Sequence, residues 1–148
     1  PAYRDAFFSP LGFLRFVREL IGWAGGLDAL QTNRFWTVTD PDGSGQVAWH
    51  GVQPGLPDWS AASRHLAFSL ADAEDRLQTY VVLNSETEAL EFTPPSLPED
   101  LVWGLKIDTA APAPGDILDP DRERPIAGRR VRLAPRSVVA LVPLGKKS

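Results

Sequence analysis

From Phe35 to the C-terminus, short β-branched and aromatic runs are separated by clusters of Pro, Gly, Asp and Ser. Proline brings no amide proton to a ladder and glycine is costly to order, so such clusters close strands and open turns. This punctuation leaves room for short strands and little room for helices. It predicts strands near Phe35–Thr39, Val47–His50, His65–Leu70, Thr79–Leu83, Ala89–Thr93, Trp103–Asp108, Val131–Leu133 and Ser137–Val142. The turns between them include Asp40-Pro41-Asp42-Gly43-Ser44-Gly45, Pro54-Gly55-Leu56-Pro57 and Thr93-Pro94-Pro95. Between Ala110 and Arg130 lie Pro112, Pro114, Pro120 and Pro125 with little apolar content, which predicts a long excursion between two strands.

The segment before Phe35 follows a different period. Ser9 suits an N-cap, and Pro10 then takes the first helical position, where its missing N–H costs nothing. Leu11, Leu14, Val17 and Ile21 fall on one row; Phe13, Phe16, Leu20 and Trp23 fall on another. Arg15, Arg18 and Glu19 form the polar remainder, and Gly25-Gly26 is expected to end the helix. A helix this apolar wants partners on more than one face. It lies on the domain's own core or packs against a domain outside this chain. The fold class is therefore mainly β: an antiparallel β-sandwich of about eight strands preceded by one N-terminal α-helix.

Composition narrows the function. The 148 residues, 43% of them hydrophobic, suit one domain with a core and fall short of the roughly 250 that a (β/α)8 barrel needs. No apolar run is long enough to span a bilayer, and a net charge of −4 argues against a nucleic-acid partner or an anionic membrane surface. The chain has no cysteine, so disulfides, thiolate metal sites and cysteine nucleophiles are excluded. No signal-peptide pattern is present. A start at Pro1 with no methionine anywhere is expected of a piece of a longer protein.

Motifs that would carry catalysis are weak. Asp40-x-Asp42-x-Ser44-Gly45 matches half of a calcium loop, but its twelfth position is Gly51 where a bidentate Glu is needed, so a turn is the better reading. His50 and His65 lack a paired-histidine spacing, and Ser60, Ser63 and His65 have no nucleophile elbow. The acids Asp72, Glu74, Asp75, Asp116, Asp119, Asp121 and Glu123 cluster in polar loops and offer no pair suited to glycoside hydrolysis. No catalytic residue, metal ligand or cofactor site is assigned. The aromatics say more: Trp36, Trp49 and Trp59 share one span with His50 and Asp58, and Asn33 or Asn84 could lie nearby. A flat indole suits the C–H face of a pyranose, and carboxylates and amides suit its hydroxyls, although tryptophan also serves cores.

Trp49-His50-Gly51, Pro57-Asp58-Trp59-Ser60, Ser63-Arg64 and Leu66-Ala67-Phe68 resemble a stretch of the glycogen-debranching enzymes and plant-type isoamylases. Tyr80-Val81-Val82-Leu83-Asn84, Trp103 with Ile107-Asp108-Thr109-Ala110 and Pro112-Ala113-Pro114, and Pro135-Arg136-Ser137-Val138-Val139 resemble later family segments in the same order. Phe13 to Ile21 resembles the last barrel helix of these enzymes. The segment after it, Gly22 to Leu30, lacks the basic His-Pro stretch usual there. The resemblance implies an alpha-amylase-superfamily hydrolase of α-1,6 branch linkages, of which this chain holds the end of the barrel (residues 1–33) and the C-terminal β-sandwich domain (residues 34–148). The family's catalytic carboxylates lie upstream of every matched segment, so the chain is expected to be silent alone. The implied partner is the catalytic barrel domain of the same parent chain, with the β-domain stabilising it. The alternative is an autonomous module binding α-glucan, glycogen or amylopectin. Trp49, His50, Asp58 and Trp59 are the carbohydrate-binding or barrel-interface candidates. A bacterial-type parent implies a cytoplasmic location, a plant-derived one a plastid.

Overall fold

The computed structural model describes residues 10–31 and 46–146. Helix α1 spans Pro10–Gly25, and a 3-10 turn follows at Asp28–Leu30. The strands are β1 (Val47–His50), β2 (His65–Ala71), β3 (Leu77–Asn84), β4 (Leu90–Phe92), β5 (Leu101–Asp108), β6 (Arg124–Pro125), β7 (Val131–Leu133) and β8 (Ser137–Gly145). Six of them form an antiparallel sheet in the order β1-β2-β3-β8-β5-β6, and β4 pairs with β7 in a second sheet. The mainly β, antiparallel expectation holds. Seven of the predicted strands are present; the one at Phe35–Thr39, the Ser9 cap and the Asp40–Gly45 turn lie outside the described residues. β6 arises inside the stretch expected as an excursion, where Arg124 and Pro125 pair with Leu105 and Gly104. Two residues, one a proline, carry no strand period to read.

Alternation along the strands covers the large sheet on both faces. Ala67, Tyr80, Val82, Trp103, Val139 and Leu141 point inward and meet Phe92, Val131 and Leu133 of the small sheet in one core. Their neighbours in sequence point the other way. Val81, Ala140 and Ile107 meet Phe16, Leu20 and Trp23 of α1 together with Ile117. Val47, Leu70, Trp49 and Phe68 gather round Ala29 of the 3-10 turn. The result is three layers: helix, six-stranded sheet, two-stranded sheet. Further links are polar. Arg15 on α1 pairs with Asp116, and Gln78 at the start of β3 accepts from the Ala29 amide at 2.9 Å while its amide nitrogen donates to Asp28 at 3.2 Å. No helix among the described residues is long and apolar enough to cross a membrane.

A bulge in β5 makes the second cover possible. Leu105 pairs with Leu141 and Ile107 with Ala140, so Lys106 is the extra residue. Without it Leu105 and Ile107 would share a face; with it Leu105 joins the inner core and Ile107 the helix side. The displaced Lys106 is buried. Its Nζ donates to the Leu118 carbonyl at 2.6 Å and to Glu123 Oε1 at 2.9 Å, pinning the 110–130 segment to the sheet. Asp72 departs from the solvated acids of its run. Burial raises its pKa, but hydrogen bonds from the Arg76 and Glu74 amides and the Arg76 guanidinium outweigh this and hold it below the usual carboxylate range.

Two substitutions test this packing in opposite directions. Lys106→Ala strands Glu123 in a site only 12% exposed, and is expected to cost about 3–5 kcal/mol by urea unfolding. A loss within about 0.5 kcal/mol would contradict the role given to the pair. The Tyr80 hydroxyl is buried with no hydrogen-bond partner, and burial pushes its pKa up. Tyr80→Phe removes an unsatisfied group, so the unfolding free energy is expected to stay level or rise, by up to about 3 kcal/mol.

Candidate functional site

The loop from Gly51 to Arg64 connects β1 to β2 and carries two of the four carbohydrate or interface candidates, Asp58 and Trp59, while the other two, Trp49 and His50, end β1. Its shape follows from close backbone approaches. A Cβ at Gly51 would sit 2.3 Å from the Leu56 carbonyl oxygen, so only glycine lets the loop fold back on β1. Gly55 has φ of 72°, and its amide donates to His50 Nδ1 at 2.8 Å. The loop is also tied outward, because the Thr93 amide donates to the Val52 carbonyl at 2.9 Å.

His50 is therefore a support for the loop and is 4% exposed. Because Nδ1 accepts from Gly55, the ring proton sits on Nε2 and donates to Ser69 Oγ at 2.9 Å. Both nitrogens are used, and the ring lies 5.6 Å from that of Tyr80. Burial lowers its pKa, which keeps the imidazole neutral. Asn84 is spent in the same way. Its Nδ2 donates to the Glu88 and Ala134 carbonyls at 3.0 Å, and its Oδ1 accepts from the Glu86 amide. Trp36 and Asn33 lie outside the described residues.

The tryptophans divide the work. Trp49 is half-buried on the helix side of the sheet, 5.8 Å from Phe68. Trp59 stands 66% exposed, with its ring 5.7 Å from Trp49 at an interplanar angle of 72°. A T-shaped contact of that kind holds the indole in place while most of Trp59 stays open to solvent. Asp58 is exposed; its Oδ1 accepts from the Ser60 amide at 2.9 Å, and this bond holds its carboxyl below the usual carboxylate range. The structure thus brings Trp49, Asp58 and Trp59 together at one edge, with His50 beneath them.

Asp58 and Trp59 border an open groove of about 430 Å³ whose other wall includes Ser63, Arg64, His65 and Leu83. The sequence reading had no signal for Leu83, which comes from β3 and reaches the groove only through the β2–β3 pairing. A second cleft of about 460 Å³ lies between the Thr93–Pro98 segment and Ile126–Arg129, over Trp103, whose indole donates to the Pro95 carbonyl at 2.7 Å. Among the described residues, no three His, Asp or Glu side chains converge to hold a metal ion.

Residues 48–139 match the family model described as isoamylase 1-3, C-terminal. Isoamylase 1, chloroplastic, of Arabidopsis thaliana is 35% identical over 121 residues, which is 81% of this chain and 14% of that protein. Isoamylase 1, chloroplastic, of Oryza sativa subsp. japonica is 42% identical over 51% of the chain and 9% of its own length. Isoamylase SU1, chloroplastic, of Zea mays is 40% identical over 53% of the chain and 10% of its own length. The matched stretch contains the β1–β2 loop, the groove and every strand except the last part of β8 and the first residue of β1.

The neutral state of His50 gives a pH test. A histidine whose folded pKa lies below its unfolded value contributes stability that is full above about pH 6.5 and is lost as pH falls from there toward the folded pKa. Thermal melts are expected to show Tm falling as pH drops below about 6.5, and His50→Gln is expected to flatten that slope while lowering Tm at pH 7.5. An unchanged slope in the variant would contradict the neutral, loop-holding ring.

Proposed function

The chain belongs to the isoamylase 1-3 C-terminal domain family, and we propose that it serves as the non-catalytic C-terminal domain of an α-1,6-glucan debranching hydrolase. The chain spans about a tenth to a seventh of the length of the relatives it matches, so the chemistry belongs to a part of the parent beyond these residues. In this reading residues 1–33 form the end of the catalytic barrel, and residues 34–148 form the β-domain that stabilises it.

The observation that carries the proposal is the second apolar side of α1. Phe16, Leu20 and Trp23 are committed to the sheet, yet Leu11, Leu14 and Ile21 remain 78%, 54% and 67% exposed. Leu14 and Ile21 are seven residues apart and so lie on one stripe, across the helix from Phe16 and Trp23. Water-facing leucine and isoleucine in a row gain nothing for an isolated domain and mark a contact surface. The occupant proposed is the catalytic domain of the same polypeptide. All three relatives are chloroplastic isoamylases, which supports the plastid branch of the localisation expectation.

The test places Leu14→Glu together with Ile21→Glu in the 148-residue chain and in the parent enzyme. In the chain alone, the unfolding free energy is expected to change by no more than about 0.5 kcal/mol per site, because both side chains already face water. In the parent, two carboxylates would be driven into an apolar contact, and debranching activity is expected to be lost at a lower temperature. Equal thermal stability of wild-type and variant parent would refute the docking role. Release of reducing ends from amylopectin by the chain alone would refute the non-catalytic one.

A further inference from the structure

We propose that the groove beside Trp59 is a binding site for linear α-1,4-glucan chains, separate from the apolar stripe of α1. The ligand class rests on the debranching reading; the site rests on the geometry. Trp59 is two-thirds exposed, which is costly for the largest apolar side chain, and the loop that displays it is built to keep it there. Gly51 permits the fold-back that no other residue would, His50 spends a buried ring nitrogen on the Gly55 amide, and Trp49 braces the indole in a T-shaped contact. A platform held by three buried or half-buried contacts loses little freedom when a ligand settles on it.

The chemistry round the indole suits a sugar. An indole face covers the C–H face of a glucopyranose, while hydroxyls at the ring rim need both acceptors and donors. Asp58 supplies a carboxylate held ionised, and Arg64 an exposed guanidinium and Ser63 a hydroxyl from the facing wall, all lining the same groove. His65 lines the groove as well, but its ring packs against Phe92 at 5.7 Å and its Nδ1 is buried, so it offers the ligand no hydrogen bond there. The groove is open at its surface, as a chain that enters and leaves along its length requires. Leu83, 36% exposed on the adjacent strand, extends the apolar floor beyond the indole. His50 takes no part in contact, since it lies buried beneath the loop.

The 148-residue chain is run in native gels with and without amylopectin and titrated with maltoheptaose, following the indole N–H resonances. Wild-type chain is expected to be retarded by amylopectin, and the Trp59 indole signal to shift with maltoheptaose. Trp59→Ala is expected to raise the maltoheptaose Kd about tenfold or more and to restore free mobility, whereas Trp59→Tyr keeps part of the retardation. Trp59 is at the surface, so its circular dichroism and Tm report whether the variant is folded. Mobility unaffected by amylopectin, or retardation that survives Trp59→Ala in a folded variant, overturns the site. The Leu14→Glu, Ile21→Glu chain separates the two readings: it is expected to bind maltoheptaose as the wild type does. A parent destabilised by those helix substitutions, beside a chain that ignores maltoheptaose, would leave the domain role standing and remove this site.

Discussion

The six-stranded sheet is apolar on both faces, and each face has to be covered. One cover is the β4–β7 pair, which closes the main core over Tyr80, Val82 and Leu141. The other is α1, laid across Val81, Ala140 and Ile107. The two covers depend on a single irregularity. The extra residue in β5 turns Leu105 to one side and Ile107 to the other, and it sends Lys106 into a buried pair with Glu123 that anchors the 110–130 segment. Ile117 from that segment then completes the surface on which the helix rests. Sheet, excursion and helix are thus one packing problem.

A helix used in this way has spent only part of its apolar surface. The remaining stripe points away from the sheet, and in the proposed reading it is what the rest of the parent covers. The loop after β1 follows a related economy. Its buried side consists of His50, Gly51 and the Trp49–Phe68 contact, and those inward commitments allow Trp59 and Asp58 to face outward. Rigid support beneath and open chemistry above is the arrangement by which loops on a β scaffold carry function.

How much of this could be read in the sequence depends on how local its cause is. Pro10 at the helix start and Gly25 at its end mark α1 by backbone chemistry alone, and the helix runs between them. β1 and β7 match their predicted bounds because turn residues flank both of them. The bulge at Lys106 was not legible, since nothing in Leu105-Lys106-Ile107 says that two apolar neighbours belong on opposite faces until β8 is laid alongside. His50 is similar. Its position beside Trp49 suggests an aromatic surface, while its burial follows from which face of β1 the pairing with β2 turns inward. The acids of the 110–130 segment read as solvent-facing, yet Glu123 answers a lysine seventeen residues earlier. Long-range pairing of this kind leaves no mark in spacing or composition.

The central claim is that α1 faces two domains at once. The chain has no cysteine, so single Leu14→Cys and Ile21→Cys substitutions give clean reporters of its outer stripe. Thiol labelling is measured at each position in the 148-residue chain and in the parent enzyme, with the labelled peptide identified by mass. Labelling at the rate of an exposed thiol in the chain, slowed by about tenfold or more in the parent, is the result expected of a stripe covered by the catalytic domain. Equal, fast labelling in both would show the stripe open to water in the parent, and the claim would be wrong.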